Sequence, residues 1–360
     1  MARILCGVMG DALGHVAQAR VLAQELSAHE FLFVGGGRVA DLAAEGRQME
    51  RLPLLATRYR QNRLDLAATL RGGLKALAGL RPALSRLRGL IRAFDPQLIL
   101  SLYEPWVPLA ARQLGRPCLS LDNQHALSHC RPLGIPGQAT GRLLLEVSLR
   151  GLYSLSSRYL VHSFFPLEPS DPARVEVFPP LVSPALRDLR PRPGEAVLVY
   201  QTSSTFQRLL PALEEWGQPC LVYGLGQGLG RGNLVFRPPD PEAFRQDLAA
   251  CHFLVANGGH NAISEALYLG KPVLSLPIAL AYEQYINSYM LRRLGYGDFS
   301  LDPAPGPGLF QAFAQRLPHY ERAMAMGDFY GTDQLCRRLL DLLDPGPATP
   351  PRGSPAGEPR

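Results

Sequence analysis

Short, continuous apolar runs recur along this chain, and each is followed by a stretch whose apolar residues have helical spacing. One series lies at 3–8, 31–34, 97–101, 118–122 and 159–163, and a second at 197–201, 220–224, 233–237, 253–257 and 273–277. Continuous runs are typical of parallel strands that are covered on both faces. Strands that alternate with helices form doubly wound sheets. The sequence therefore predicts an α/β protein with two Rossmann-like domains, whose strand-end loops face one cleft.

Chain length and proline content set the expected domain boundaries. The chain has 360 residues, more than one typical core holds, and a proline-rich stretch at 179–194 separates the two series. We expect an N-terminal domain over 1–185, a C-terminal domain over 190–308 and C-terminal helices over 309–343. Residues 344–360 are rich in proline and glycine and are expected to form a disordered tail.

Cysteine usage and hydropathy indicate the cellular compartment in which the protein is expected. The 6 cysteines form no CxxC pair, which favours reduced thiols in a cytosol over disulfides or a zinc site. The first residues resemble a strand rather than a signal peptide, and no apolar stretch reaches the roughly 20 residues that span a bilayer. We therefore expect a cytoplasmic protein. The net charge of +6 favours anionic partners, but no pattern indicates nucleic acid.

A glycine-rich turn follows the first strand and leads into a helix that is expected to start near Gly14 or His15. Such a turn presents free backbone N–H groups that can bind an anion. Its glycine spacing is not that of a dinucleotide-binding fingerprint, the second strand lacks an acidic residue for a ribose, and no P-loop motif is present. His15 lies on the cleft side, where it could act as a general base. The alternative is a histidine that caps its own helix.

Polar side chains also follow later strands of the first series. Asp122, Asn123, Gln124 and His125 stand together after the fourth strand and suit recognition of hydroxyls or support of the cleft histidine. An ordinary turn would have a similar sequence. Glu104, after the third strand, is expected to face either the cleft or solvent.

The second series has its own polar loop ends. Thr202 and Ser203 follow its first strand and suit a diphosphate, or form a plain turn. Later, "NGGHNAISE" at 257–265 joins a strand to a helix. Gly258 and Gly259 allow a ligand to approach the backbone, and the helix N-terminus favours negative charge by roughly 0.3–1 kcal/mol.

Within that motif, Asn261 is the expected N-cap of the helix. Glu265 lies one turn into the helix, and its carboxylate can accept two hydrogen bonds from the paired hydroxyls of a ribose. Glu283, Gln284 and Asn287 follow the next strand and suit sugar hydroxyls. Phosphate, ribose and sugar subsites in this order describe a nucleotide sugar.

These residues resemble a known family. Residues 256–297 are similar to the donor-binding region of GT-B nucleotide-sugar glycosyltransferases, in the branch of the lipid-II-forming N-acetylglucosaminyltransferases, the UDP-glycosyltransferase superfamily and their uncharacterised bacterial and archaeal relatives. "GDALGH" near the N-terminus and "LDNQH" at 121–125 also resemble this branch. The similarity covers most of 1–300.

The resemblance implies a role for each motif. Glu265 would bind the donor ribose, and Glu283, Gln284 and Asn287 the donor sugar. The diphosphate would lie among Gly258, Gly259, His260, Asn261, Thr202 and Ser203. His15 would activate the acceptor, with Gly14, Asp122, Asn123, His125 and Glu104 on the acceptor side or supporting the base. No cofactor or metal is expected, because the nucleotide sugar is a co-substrate and no DxD motif is present.

Two positions depart from the family pattern. Asn257 stands eight residues before Glu265, where plant-type members carry a phosphate-binding histidine, and the histidine here is His260. Glu283 replaces the aspartate that plant and macrolide enzymes usually have. Contact of a side chain with phosphate and the sugar specificity therefore stay open.

The function expected is transfer of a hexosyl group from a nucleotide sugar to an acceptor hydroxyl or amine. The expected donor is UDP-linked, and the reaction is expected to invert the anomeric carbon and to need no metal. The alternatives are a nucleotide-sugar 2-epimerase of the same fold and a non-catalytic nucleotide-sugar-binding protein. The acceptor is an unidentified small molecule, glycan or lipid-linked compound.

Residues 58–92 hold eight arginines and one lysine against one acid, Asp65, together with a stripe of leucines. Such a segment can lie on the anionic inner face of a membrane. An ordinary core-facing helix pair with solvated arginines is the alternative.

Overall fold

The computed structural model describes residues 1–202, 204–226 and 230–344. Two expectations lie outside the described residues: diphosphate contact by Ser203, and disorder of the tail beyond 344.

The first half of the chain builds a 7-stranded parallel sheet and a small hairpin. Its strands are β1 (Arg3–Val8), β2 (Glu30–Gly35), β3 (Met49–Arg51), the hairpin β4 (Tyr59–Arg60) and β5 (Arg63–Leu64), β6 (Leu98–Leu102), β7 (Leu119–Asp122), β8 (Arg158–His162) and β9 (Val175–Phe178). Its helices are α1 (Leu13–Glu25), α2 (Ala40–Ala44), α3 (Leu66–Ala78), α4 (Leu80–Phe94), α5 (Trp106–Gln113), α6 (Ala126–His129) and α7 (Ala139–Ser148).

The second half builds a 6-stranded parallel sheet. Its strands are β10 (Val197–Tyr200), β11 (Cys220–Tyr223), β12 (Leu234–Arg237), β13 (Leu254–Ala256), β14 (Val273–Ser275) and β15 (Gly297–Phe299). Its helices are α8 (Leu209–Trp216), α9 (Pro241–Ala250), α10 (His260–Tyr268) and α11 (Tyr282–Leu294), followed by α12 (Pro307–Ala314), α13 (Leu317–Met324) and α14 (Thr332–Leu343).

Each sheet reverses its strand order once, and the reversal points place the site. The orders are β3-β2-β1-β6-β7-β8-β9 and β12-β11-β10-β13-β14-β15. In open α/β sheets ligands bind where the order reverses, beyond the carboxyl ends of the strands. Those points are the loops after β1 and β6 in the first half, and after β10 and β13 in the second. The predicted doubly wound α/β class is confirmed, and every predicted apolar run is a strand.

The sheet cores consist of the predicted apolar runs. Leu5, Val34 and Ile99 pack under α4 and α5, while Ile4, Phe33 and Leu100 pack under α1. The proline-rich stretch between the halves is packed rather than free, since Leu181, Val182 and Leu186 are all buried.

The helices of 309–343 divide between the two halves. Phe310 and Phe313 pack with Phe253 of the second sheet. In contrast, Leu335 and Leu339 of α14 belong to the cluster beneath the first sheet. The chain therefore crosses back to the half in which it began. No helix in the described ranges is both long and apolar enough to cross a membrane.

Candidate functional site

The N-termini of α1 and α10 meet across the cleft between the two halves. The side-chain amide of Asn261 donates to the backbone carbonyl of Gly14 at 2.8 Å, and the Gln18 amide donates to Asn261 Oδ1 at 3.1 Å. The prediction that Asn261 caps α10 is wrong. The helix begins at His260, two residues earlier than that prediction implies, with Gly259 in the capping position and no side-chain cap. Asn261 therefore projects from the first turn toward α1.

The two glycines before α10 have different environments. Gly258 has a φ of +85°, and a Cβ there would lie 2.7 Å from the Gln284 carbonyl oxygen and 2.8 Å from Ser288 Oγ. A Cβ on Gly259 would meet nothing within 4 Å. Gly258 is therefore required by the fold, whereas Gly259 leaves the helix N-terminus open to an incoming ligand.

Asn257 ties this loop to the one after β10. Its Oδ1 accepts hydrogen bonds from the backbone N–H of Thr202 at 2.7 Å and from the Thr202 hydroxyl at 3.2 Å, and its amide donates to Gln201 Oε1 at 2.5 Å. Asn257 is only 1% exposed. The two strand-end loops of the second sheet are thus fixed to each other beside α10.

His260 does not face the open cleft. Its ring is 4% exposed and packs on His162 and Phe164, with centroid distances of 4.9 and 5.4 Å. Its Nδ1 lies 3.3 Å from Ser264 Oγ. Burial lowers the pKa of His260 well below its usual value. The prediction of a phosphate-binding side chain here is not supported, because the ring fills the contact between the halves.

Glu265 lies half-buried on α10. Its carboxylate makes no hydrogen bond with any residue that the structure describes, so both oxygens are available to a ligand. Burial raises the pKa of Glu265 to about 7, against the opposing charge of Arg245.

Glu283 is held from across the cleft. Asn123 Nδ2 donates to Glu283 Oε1 at 2.9 Å, and Gln124 Nε2 donates to Oε2 at 3.1 Å. Burial raises the pKa of Glu283, while these two hydrogen bonds oppose the rise. The predicted sugar-binding carboxylate and the predicted acceptor-side loop after β7 are therefore one cluster.

The side chains of two other predicted sugar ligands form hydrogen bonds with the backbone. Gln284 Oε1 accepts a hydrogen bond from the N–H of Ile278 at 3.0 Å, and Asn287 Nδ2 donates to the carbonyl of Gly258 at 3.0 Å. Asn287 is 2% exposed, and its amide holds the conformation of Gly258. A direct sugar contact by this residue stays a prediction.

His15 lies on the first turn of α1 at the cleft. The cap position is Ala12 and no side chain caps the helix, so the alternative of a self-capping histidine is not observed. Its ring stacks on Tyr103 with a centroid distance of 5.6 Å, and its Nε2 lies 3.4 Å from Gln124 Nε2. Burial lowers the pKa of His15, against the opposing charge of Asp122. The lowered pKa favours the neutral ring, which is the form of a histidine that can accept a proton.

Asp122 and His125 bind each other instead of His15. His125 Nδ1 lies 2.7 Å from Asp122 Oδ2, and the backbone N–H of His125 donates to Oδ1 at 2.9 Å. Ser120 Oγ donates to Asp122 Oδ2 at 2.7 Å. Neither side chain hydrogen-bonds to His15 in the part of the chain that the structure describes, although the charge of Asp122 acts on His15 through space. A role for this pair on the acceptor side stays a prediction.

The Glu104 carboxylate also bonds to its own segment of the chain. Its Oε2 accepts the backbone N–H groups of Trp106 and Val107 at 3.0 and 2.8 Å, at the start of α5, and the residue is 4% exposed. Burial raises the pKa of Glu104 to about 8, although the two N–H donors oppose the rise. Neither expected position, cleft or solvent, is observed.

Sequence reasoning missed Tyr103 and understated Gln124. Tyr103 adopts a φ of +55° and stacks on both His15 and Tyr153, the latter at a centroid distance of 4.1 Å. No local signal marks it. Gln124 stands in the quoted loop, but only the folded chain shows that its amide touches both His15 and Glu283. Across the described ranges, no group of three or more His, Cys, Asp or Glu residues is arranged to hold a metal ion.

One cleft between two Rossmann-like halves brings together a histidine, an open helix N-terminus and a carboxylate that has no hydrogen-bond partner among the described residues. The model of glycosyl transferase family 1 matches residues 2–318. The chain belongs to this family. This confirms the resemblance noted in the sequence, and the protein is a glycosyltransferase.

Known glycosyltransferases share both sequence and fold with it. An uncharacterised glycosyltransferase of Methanosarcina acetivorans is 24% identical over 324 residues, which cover 82% of this chain and 84% of the relative. The spinosyn forosaminyltransferase SpnP aligns with a TM-score of 0.64 at 15% identity, covering 95% of this chain and 99% of its own. The Streptomyces glycosyltransferase SsfS6, solved with thymidine diphosphate, aligns at 0.62 and 17%, covering 95% and 100%. At these identities the solved structures show the GT-B fold alone.

Proposed function

We propose that this glycosyltransferase transfers a hexosyl group from a UDP-sugar to an acceptor hydroxyl or amine, with inversion at the anomeric carbon. The observation that carries the proposal is the 2.8 Å contact between Asn261 and Gly14. It brings the N-terminus of α10, the proposed diphosphate site, next to the turn that carries His15. Donor and base then serve one reaction centre.

The proposed donor site follows the order of groups along α10. The diphosphate lies at the helix N-terminus beside Gly259, where free N–H groups and the helix dipole stabilise negative charge. The ribose hydroxyls donate to the unengaged carboxylate of Glu265. The sugar reaches Glu283, whose oxygens accept hydrogen bonds from amides at present and can accept them from hydroxyls in the same way.

In the proposed reaction His15 Nε2 accepts the proton of the acceptor as the acceptor oxygen or nitrogen attacks the anomeric carbon. The bond between that carbon and the diphosphate oxygen breaks, and the electron pair leaves with UDP. Backbone N–H groups at α10 stabilise the leaving charge, so the scheme needs no metal ion. General base catalysis of this kind typically contributes about 10²–10⁴-fold.

The test is product analysis with a panel of UDP- and TDP-linked hexoses, with and without alcohol, phenol and amine acceptors. We expect UDP release that depends on an acceptor, persists in a chelator, and gives a product of inverted anomeric configuration by NMR. A new UDP-sugar formed without any acceptor would instead identify a 2-epimerase. Binding of nucleotide sugars with neither outcome would identify a non-catalytic binding protein.

Helix α3 presents apolar side chains to solvent. None of the residues of α3 is buried, and Leu70 and Leu74 are 67% and 68% exposed. The neighbouring α4 is different, since its Leu87 and Ile91 lie in the core. The core-facing alternative thus applies to α4 alone.

We propose that α3 and its basic neighbours contact an anionic membrane surface that presents the acceptor. Cosedimentation with vesicles of phosphatidylglycerol and phosphatidylcholine should exceed that with phosphatidylcholine alone, and Leu70→Ser with Leu74→Ser should abolish the difference. Met326→Ser is the control, since Met326 is 91% exposed and lies outside this segment. Equal binding to both vesicle types, or no binding, would exclude the membrane contact.

A further inference from the structure

One side-chain amide links the two ends of the proposed reaction centre. Gln124 Nε2 lies 3.1 Å from Glu283 Oε2 and 3.4 Å from His15 Nε2. Gln124 is 5% exposed and follows β7 in the first half, whereas Glu283 opens α11 in the second half. Its side chain therefore touches both the proposed base and the proposed sugar-binding carboxylate.

The chemistry of these groups fixes the direction of both hydrogen bonds. An ionised carboxylate only accepts, so the NH₂ end of the Gln124 amide must face Glu283. An amide nitrogen only donates, so His15 Nε2 must meet it with a lone pair and the ring proton must reside on Nδ1. Glu283 thereby selects the neutral tautomer of His15 whose Nε2 can accept a proton.

The opposite face of the amide is unsatisfied. Gln124 Oε1 is buried and has no hydrogen-bond partner among the described residues. If Glu283 turned to other donors, the amide could rotate and present this oxygen to His15. Gln124 Oε1 would then accept a hydrogen bond from the protonated Nε2 of His15. In the present arrangement the imidazolium has no such acceptor in Gln124.

We infer that Gln124 is a positioning residue that couples the protonation of His15 to the occupancy of Glu283. With Glu283 free, the amide donates to His15 and favours the neutral base. With Glu283 occupied by sugar hydroxyls, the amide turns and stabilises the protonated ring that proton abstraction creates. The inference rests on the proposed function for the identity of the occupant, but the coupling itself is a property of this chain.

Other charged and titratable groups around His15 do not produce the same effect. Tyr103 stacks on its ring, Asp122 interacts with it through space, and His162 and His260 lie within electrostatic range. Tyr103 and Asp122 also interact with Glu283 through space, but none of these four groups hydrogen-bonds to both His15 and Glu283 within the described ranges. Only Gln124 contacts both residues among the hydrogen bonds of the described chain.

The test is the pKa and tautomer of His15, measured by NMR of histidine-labelled protein with His15→Gln to assign the signal. On electrostatic grounds alone, removal of the carboxylate in Glu283→Ala should lower the pKa of His15 or leave it unchanged. The coupling predicts the opposite, a rise of about one unit, because the freed amide can accept from the imidazolium. In wild type the Nδ1–H tautomer should dominate.

Two controls isolate the amide. Asn123→Ala releases the other oxygen of Glu283 but leaves Gln124 in place, and should not move the His15 pKa. Gln124→Met combined with Glu283→Ala should remove the rise. UDP-N-acetylglucosamine should raise the His15 pKa of wild type more than UDP alone does, because UDP supplies the phosphate charges without the sugar.

An unchanged or lowered pKa in Glu283→Ala, or a dominant Nε2–H tautomer in wild type, would overturn the coupling. The variant measurements use no donor and no turnover. A failure of the proposed transfer reaction therefore leaves them interpretable, and the two failures are distinguishable.

Discussion

The carboxylate of Asp122 is bound to the ring of His125, three residues along the same loop, at 2.7 Å. Both side chains are only 1% exposed. A histidine and an acid close to a cleft suggest a catalytic pair, but this one faces inward and shapes the loop that carries Asn123 and Gln124. The catalytic role in our account falls to His15, which Asp122 affects only through space.

Asp122→Asn should destabilise the protein by about 2 kcal/mol or more at pH 7. Burial alone would raise the pKa of Asp122, but the charge and hydrogen bonds of His125 outweigh it and lower the pKa from 3.8 to about 2, a shift that corresponds to about 2 kcal/mol. Because the folded-state pKa is lowered, this stabilisation is complete above pH 3.8 and is lost as the pH falls toward 2.

Urea unfolding of wild type and Asp122→Asn at pH 7 and pH 3 measures this. The difference between them should shrink at the lower pH. Ser120→Ala is the matched control, since it removes one hydrogen bond to the same carboxylate and should cost only about 1 kcal/mol. Equal stability of Asp122→Asn and wild type at pH 7 would refute the assignment.

Donor affinity should fall as the pH is lowered below 7. Burial raises the pKa of Glu265 to about 7, so acidification protonates the carboxylate and removes an acceptor for the ribose hydroxyls. The dissociation constant should rise by up to about tenfold per pH unit. Calorimetry at pH 6, 7 and 8 measures it. Glu265→Gln should bind weakly at every pH, whereas the exposed Glu242→Gln should behave as wild type.

Substitution of the two glycines before α10 should have different effects, one on the stability of the protein and the other on donor binding. Gly258→Ala should unfold or lose several kcal/mol, because its φ is +85° and a Cβ would lie 2.7 Å from the Gln284 carbonyl oxygen. Gly259→Ala should keep wild-type stability, since a Cβ there meets nothing, but should weaken donor binding by placing a methyl group in the diphosphate path. Thermal unfolding with and without a nucleoside diphosphate compares the pair. A stable, donor-binding Gly258→Ala contradicts the first half, and an unimpaired Gly259→Ala the second.

His15→Ala should slow transfer by about 10²–10⁴-fold while leaving donor affinity nearly unchanged. Steady-state kinetics at saturating acceptor measure the rate of transfer, and calorimetry measures the donor affinity. His319→Ala, an exposed histidine on α13, is the control. A wild-type rate for His15→Ala would remove the base assignment.

The sequence predicted the sheets because their buried strands are continuous apolar runs, and it placed the proposed donor loop by the rule that ligands bind at strand ends. It missed β3, β9 and β15 at the sheet edges, where Met49–Arg51, Val175–Phe178 and Gly297–Phe299 are short and carry polar residues. It also missed the hairpin of β4 and β5. The roles predicted for side chains differed from the structure where their hydrogen-bond partners lie far away in the sequence. Asn261 and Gly14 lie 247 residues apart, and no local pattern contains their contact.

The proposed function requires that a nucleotide sugar binds with its diphosphate at the N-terminus of α10. A crystal structure with UDP would show where the diphosphate lies. We expect the diphosphate within hydrogen-bonding distance of the backbone N–H groups at 259–261 and the ribose hydroxyls on Glu265, with His15 facing the open side of the terminal phosphate. A nucleotide bound elsewhere, or none at saturating UDP, would contradict the account.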